Sequence, residues 1–259
     1  MGPGDALRAG ACGFGVRREV YFRELGAVEV QKTFARVPPV EKAERWRAEA
    51  PEGFAFCVKA WQGITHPATG PTYAMTRVAV PKDRPDRYGG FQMTGEVMEG
   101  YGRLVEFAEA LEAEMLLFQT PRSFAPTDEN VERAVAFLRM ASRDLRVAWE
   151  PSGWTRDDLR RVNRRVRVVQ AVDPFAGPSM TRGEVYFRLH GSPPGARMHY
   201  YNYTKRDLRR LLRAAAGRPG FVFFNNVTGY DDAIAFAAMM AGSEERPGSA
   251  EKWCEGPLE

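Results

Sequence analysis

Eight short segments of this chain read as strands, several of them alternating side-chain character with a period of two, and nearly every one is followed by a helical pattern. That order restricts the fold more than any other property of the sequence. Strands that alternate with helices build parallel sheets, because a parallel partner can be reached only by a crossover of a dozen residues or more. The strand segments are 7–12, 27–31, 54–59, 115–119, 145–150, 166–173, 184–191 and 221–225. Helices are expected over 17–25, 40–50, 96–113, 128–141, 204–216 and 231–241, and one opens at Thr155 in a capping box with Asp158. Gly217 is expected to cap the helix before it. The connection 174–183 is too short and too rich in Pro and Gly for a full helix. At 259 residues, eight such units fill one (β/α)8 barrel. The rival is an open doubly wound sheet, but no G-x-G-x-x-G follows the first strand. The expectation is therefore an α/β protein, a single-domain TIM barrel over residues 1–259.

The seventh strand, EVYFRLHG, shows how such a barrel divides its side chains. Val185, Phe187 and Leu189 form an apolar face for the helices, whereas Tyr186, Arg188 and His190 face the interior and the mouth. A buried Arg188 needs an anion opposite it, since an unpaired guanidinium would cost on the order of several kcal/mol. The same pattern recurs: Gln31, Lys59, Gln119, Glu150, Asp173, His190 and Asn225 end strands on polar residues, where βα loops build barrel active sites.

These endings define the candidate site. Glu29, Glu150, Asp173 and His190 are the candidates for proton transfer, because crowded acids and bases are tuned toward neutral pH. Lys59 and Arg188 suit an anionic group. Gln31, Gln119, Asn225 and Asn226 supply orienting hydrogen bonds, and Gly191 and Gly229 lie where many TIM barrels bind phosphate. His66 closes ITHP before a long irregular segment, 62–95, that follows the third strand. That segment is expected to be an insertion or a lid over the mouth, with Tyr73 or Phe91 packing inward and Arg77, Lys82, Arg84 and Arg87 making it basic. Tyr200, Tyr201 and Tyr203 are expected as an aromatic wall over the mouth, with Tyr203 and His66 among the ligand-binding candidates, and His199 carries no role of its own. Cys12 ends the first strand with no adjacent base to activate it as a nucleophile. The only set of metal-ligand types is His66, His190, Glu29, Glu150 and Asp173, without H-x-H or H-E-x-x-H spacing, so no resident metal or other cofactor is expected. The tail 243–259 is expected to be peripheral, with Trp253 as a tether.

Composition narrows the partners. No apolar run approaches about 18 residues, so no membrane span is expected. The first residues, MGPGDALRAG, lack the basic and apolar regions of a secretory signal. Cys12, Cys57 and Cys254 are far apart and read as reduced thiols of a cytoplasmic protein. A net charge of +4 is too weak to imply nucleic acid alone.

Several motifs together resemble the domain-of-unknown-function 72 (YecE-like) family of TIM barrels. They are GACGF near the start, VEVQKTF at 28–34, PEGFAFCVKAWQGITH at 51–66, LLFQTPRSF at 116–124, WEPSGW at 149–154, VYFRLHG, and FVFFNN at 221–226. The family has no settled activity, so the resemblance implies the fold rather than a reaction. The chain departs from the family pattern at Gln31, where an Asn is usual, and after Glu150, where an arginine is missing. The leading expectation is an enzyme, of hydrolase or lyase type, acting on a small anionic ligand, phosphorylated or sugar-like, by general acid/base chemistry at the mouth. One alternative is a nucleic-acid-binding or repair-type barrel, resting on the arginines of 160–167 and the tyrosines near Tyr200. The other is a non-catalytic binding scaffold.

Overall fold

A computed structural model describes residues 6–76 and 84–242. The tail 243–259 with Trp253, and Arg77 and Lys82 of the long segment, lie outside those residues. Eight strands run in sequence order around a closed parallel barrel: β1 (Leu7–Cys12), β2 (Ala27–Val30), β3 (Ala55–Lys59), β4 (Met115–Thr120), β5 (Val147–Pro151), β6 (Val169–Val172), β7 (Val185–Leu189) and β8 (Gly220–Phe224). β8 closes the barrel against β1, with Leu7 level with Gly220 and Ala11 with Phe224. The helices are α1 (Arg18–Glu24), α2 (Lys32–Ala35), α3 (Val40–Glu49), α4 (Gln62–Thr65), α5 (Pro71–Thr76), α6 (Gly95–Ala110), α7 (Asp128–Ala141), α8 (Arg156–Asn163), α9 (Lys205–Ala215) and α10 (Gly229–Met240).

Alternation along the strands produces two separate apolar layers. Val28, Phe56, Val58, Leu116, Phe118, Phe187 and Leu189 point outward and pack under the helices. Ala27, Ala55, Cys57, Met115, Leu117, Ala148, Ala171, Tyr186, Phe221 and Phe223 point inward and fill the barrel floor. Small residues on β2, β3, β5 and β6 make room for the large rings of β7 and β8. Burying each large apolar side chain contributes roughly 1.5–3 kcal/mol, so both layers hold the barrel closed. Gly10 sets the approach of β1 to β2, since a Cβ there would stand 2.1 Å from the Ala27 carbonyl oxygen.

Local signals read from sequence hold at the helix starts. Thr127, Thr155 and Thr204 each accept a backbone N–H three residues on, and Thr155–Asp158 and Thr204–Asp207 are complete capping boxes. One cap differs: Gly217 does take a positive φ, but α9 already ends at Ala216 in the left-handed conformation. The Ala216 N–H reaches the carbonyls of Leu212 and Arg213, which fixes the turn one residue early. α2, α4 and α5 were not expected, as helices of four to six residues show no apolar period.

Residues 89–91 of the long segment after β3 fold back on α4. Gly89 N–H donates to Gly63 O at 2.8 Å and Phe91 N–H to Ile64 O at 2.9 Å. The Phe91 ring is buried against Phe118, Phe124, Phe137 and Trp149, between the strands and α7. Phe91 therefore packs inward, but into the sheet–helix layer and not over the mouth, because Phe118 faces outward. Tyr73 is buried as well, with no hydrogen-bond partner for its hydroxyl among the described residues.

β6 is the exception among the strands. Three of its four residues are only half-buried, and among the described residues no helix follows it before β7.

Candidate active site

The inward residues at the carboxyl ends of the strands form a polar stack above the apolar floor. At its centre Arg188, fully buried on β7, meets two acids. Its Nε donates to Glu29 Oε2 at 3.0 Å and its Nη2 to Glu29 Oε1 at 2.9 Å, while Nη1 donates to Glu150. Glu29, fully buried on β2, also accepts from Tyr186 Oη at 2.8 Å, from Gln31 Nε2, and from Cys12 Sγ at 3.3 Å. Burial alone would raise the Glu29 acid. Arg188, the hydrogen bonds and Lys59 outweigh it and hold the carboxyl below its ordinary value.

This network revises several expectations. Arg188 was expected to hold a ligand's anion; it is saturated by the chain's own carboxylates. Glu29, expected to move protons, is a fixed anion with its lone pairs taken, and Gln31 serves Glu29. Burial, and then the Glu29 charge, push the Cys12 thiol well above its ordinary value, so a thiolate nucleophile is disfavoured. Gly191 and Gly229 do not form a phosphate cup. The Gly191 amide donates to Tyr203 Oη at 2.7 Å and that of Gly229 to Asn226 O at 2.9 Å. Tyr203 is thereby buried behind the mouth, not a wall over it. Asn226 ties its amide to Tyr201 O, Thr228 and Asp232, which makes it a brace for the β8 loop.

The rim is different. Lys59, 9% exposed at the end of β3, has no hydrogen-bond or ion-pair partner among the described residues. Its ammonium rests 4.1 Å from the centre of the Phe34 ring. Burial, and then the nearby Arg188 charge, lower its pKa to about 8. His66 packs edge-on against the same ring at 5.1 Å, with Nδ1 2.8 Å from Thr65 Oγ1. Burial and Lys59 bring its pKa to about 4, so its imidazole is neutral at physiological pH. Gln119, on β4 and level with Glu150, forms no side-chain hydrogen bond among the described residues.

Opposite Lys59, His190 stands between two acids. Its Nε2 is 3.4 Å from Glu150 Oε1 and its Nδ1 3.8 Å from Asp173 Oδ2. Asp173 also accepts from the backbone N–H of His190 at 3.0 Å and of Phe175 at 2.9 Å, which fixes its carboxylate beneath the histidine. Arg188 holds the other Glu150 oxygen and so aims Oε1 at His190.

His199 escaped the sequence reading. It sits at φ 68 with its N–H on His190 O at 2.7 Å and its Nδ1 2.6 Å from Asn225 O, which places its ring 6.0 Å from that of His190. Asn225 contributes this backbone carbonyl rather than its side chain. Among the described residues no group of three or more His, Cys, Asp or Glu is arranged to hold a metal; the Arg188 guanidinium lies between Glu29 and Glu150.

Three arginines of the run 160–167, on α8 and just after it, are paired with carboxylates. Arg160 pairs with Asp157, Arg161 with Asp128 and Arg165 with Glu132. No helix among the described residues is long and apolar enough to cross a membrane.

A closed eight-stranded parallel barrel with its charged cluster at the strands' carboxyl ends is a TIM barrel. The chain belongs to the DUF72 family, whose sequence profile, described as "Protein of unknown function DUF72", matches residues 15–253. Crystal structures of two DUF72 family proteins share the fold. One is from Enterococcus faecalis V583, with 20% identity over 92% of this chain and 98% of that one and a TM-score of 0.64. The other, from Thermotoga maritima MSB8, has 20% identity over 91% and 99% and a TM-score of 0.62. UPF0759 protein YunF of Bacillus subtilis (strain 168) is 27% identical over 128 residues, 49% of this chain and 38% of that protein, so the match spans well under half of the relative. Endonuclease IV from Thermus thermophilus shares the fold at 13% identity over 91% of this chain and 100% of that one, with a TM-score of 0.53.

Proposed function

We propose that the mouth of this DUF72 barrel binds a small anionic ligand, phosphorylated or sugar-like, and moves a proton on it by general acid/base chemistry of a hydrolase or lyase type. The observation that carries this reading is the pairing pattern among the described residues. Arg188 is saturated, whereas the Lys59 ammonium makes no hydrogen bond or ion pair with a carboxylate and feels Glu29 and Glu150 only at longer range. A buried cation with no carboxylate in direct contact is costly, and a bound anion supplies that contact. His66, neutral beside Lys59, adds a hydrogen-bonding group of either polarity, and Gln119 adds an amide. Glu150, His190 and Asp173 form the proton-moving row. A histidine between two acids can take a proton on one nitrogen while it is held at the other. Arg188 acts through Glu150 as a positioning residue and Glu29 as its counter-ion.

Binding of inorganic phosphate tests the reading. Calorimetric titration at about pH 7 is expected to show a single site that weakens as Lys59 deprotonates above about pH 8. Lys59→Met is expected to abolish it, and His190→Asn to retain it while removing turnover of any phosphorylated sugar found by screening. Equal phosphate binding by wild type and Lys59→Met would exclude the proposed site.

A further inference from the structure

We propose that the exposed face of α9, together with the neighbouring Arg197–Tyr200 stack, binds single-stranded nucleic acid, at a site separate from the barrel mouth. Residues 205–213 carry five cations and one acid, a surplus equal to the net charge of the whole chain, +4. The acid, Asp207, is committed to the helix cap. It accepts from Thr204 N at 3.0 Å, Thr204 Oγ1 at 2.6 Å and Tyr201 Oη at 2.8 Å. Arg206, Arg210 and Arg213 form no ion pair among the described residues, in contrast to Arg160 and Arg161 of α8 and Arg165 just after it, which pair with carboxylates.

Their spacing puts the three on one side of the helix, with axial steps of about 6 and 4.5 Å. With Tyr201, Thr204 and the capping acid Asp207 they line a cavity of about 590 Å³. Arg210 is steadied by its guanidinium lying 5.1 Å from the centre of the Phe175 ring. A row of cations at this spacing matches successive phosphates of a strand, and the counterions it releases favour binding.

The second half of the site is aromatic. Tyr200 is 58% exposed, with the Arg197 guanidinium 3.9 Å from the ring centre. Tyr201, next in the chain, is bonded to Asp207 and ties this loop to α9. A cation row beside an exposed aromatic platform is the combination by which single strands are held, through phosphates and stacked bases together. A lipid surface fits less well. A helix lying on a membrane presents its apolar side to it, whereas Leu208, Leu211 and Ala215 of α9 are buried against the barrel.

Fluorescence anisotropy of a labelled single-stranded oligonucleotide of about 16 nucleotides, titrated with the full chain, tests this. Binding is expected at low salt, with a log–log salt slope near −2, about −0.7 for each of three phosphates. The triple variant R206E/R210E/R213E is expected to bind at least tenfold more weakly, and Tyr200→Ala roughly tenfold more weakly through lost stacking. Arg160→Gln on α8 should bind as wild type does. All the altered side chains are exposed, and circular dichroism melts are the check that the variants fold. An absent anisotropy change at low salt, or undiminished binding by the triple variant, would overturn the proposal. So would sedimentation with phosphatidylserine vesicles when the oligonucleotide does not bind. Loss of phosphate binding in Lys59→Met leaves this outcome unchanged, since the two sites share no residue.

Discussion

Replacing Lys59 by methionine separates the cost of its buried charge from the packing of its stem. The two side chains are similar in length, so the apolar contacts with Phe34 are largely kept. In the folded protein the ammonium loses its proton at about 8, against 10.5 for an unperturbed lysine. At about 1.4 kcal/mol per pH unit, that difference amounts to roughly 3 kcal/mol. The folded value is the lower one, so between the two the unfolded chain binds more protons, and wild-type stability gains from Lys59 as pH rises from about 8 to 10.5. Below about 8 the full penalty is present. The stability advantage of Lys59→Met over wild type is therefore expected to be greatest near pH 7 and to shrink by about 3 kcal/mol toward pH 10.5. Other tyrosines and lysines titrate in this range but cancel in the difference. Parallel urea unfolding at the two pH values reads it directly. With a slope near 3 kcal/mol/M the gap between midpoints closes by about 1 M. A gap that stays constant with pH would show that Lys59 is not a buried, partnerless cation, and the proposed anion site would fall with it.

Two other substitutions or titrations follow from the same stack. Glu29→Ala leaves Arg188 buried with half its bonds unmet and is expected to destabilise the fold by about 3–5 kcal/mol, measured by denaturant unfolding. Glu29→Gln, which keeps the shape, should cost less; equal losses would mean that the charge is immaterial. The His66 imidazole is expected to titrate near 4 in its NMR shifts. Because that lies below the unfolded value of 6.5, its share of stability is lost as pH falls from 6.5 toward 4. A midpoint near 6.5 would place His66 in solvent.

The barrel was legible because its evidence is local. Period-two alternation in AVEVQ, FAFCVK and EVYFRLHG fixes which side chains face inward, and Thr155–Asp158 marks a helix start with two bonds. The site was legible as a list of strand endings but not as a circuit. Nothing in one strand says that Glu29 on β2, 159 positions from Arg188, will claim its guanidinium, whereas Lys59, two residues beyond the Glu29 register partner Cys57, stays unclaimed among the described residues. His199 was missed for a related reason. Its place is set by a left-handed backbone and by carbonyls of His190 and Asn225 on two different strand ends. Phe91 was assigned to the mouth from its loop, yet apolar neighbours on β4, β5 and α7 draw it to the outer layer.

β6 gives the ring of strands a seam. It meets β5 through only two register pairs and β7 through two, and lacks the helix that shields its neighbours. Backbone amides there should exchange with solvent ahead of those in β3 or β8, since local opening starts where buried contacts are fewest. Asp173 follows directly on that strand and fastens the His190 amide. Breathing of the seam would therefore loosen the Asp173 anchor of His190, so the least protected part of the barrel adjoins the proposed proton-moving row.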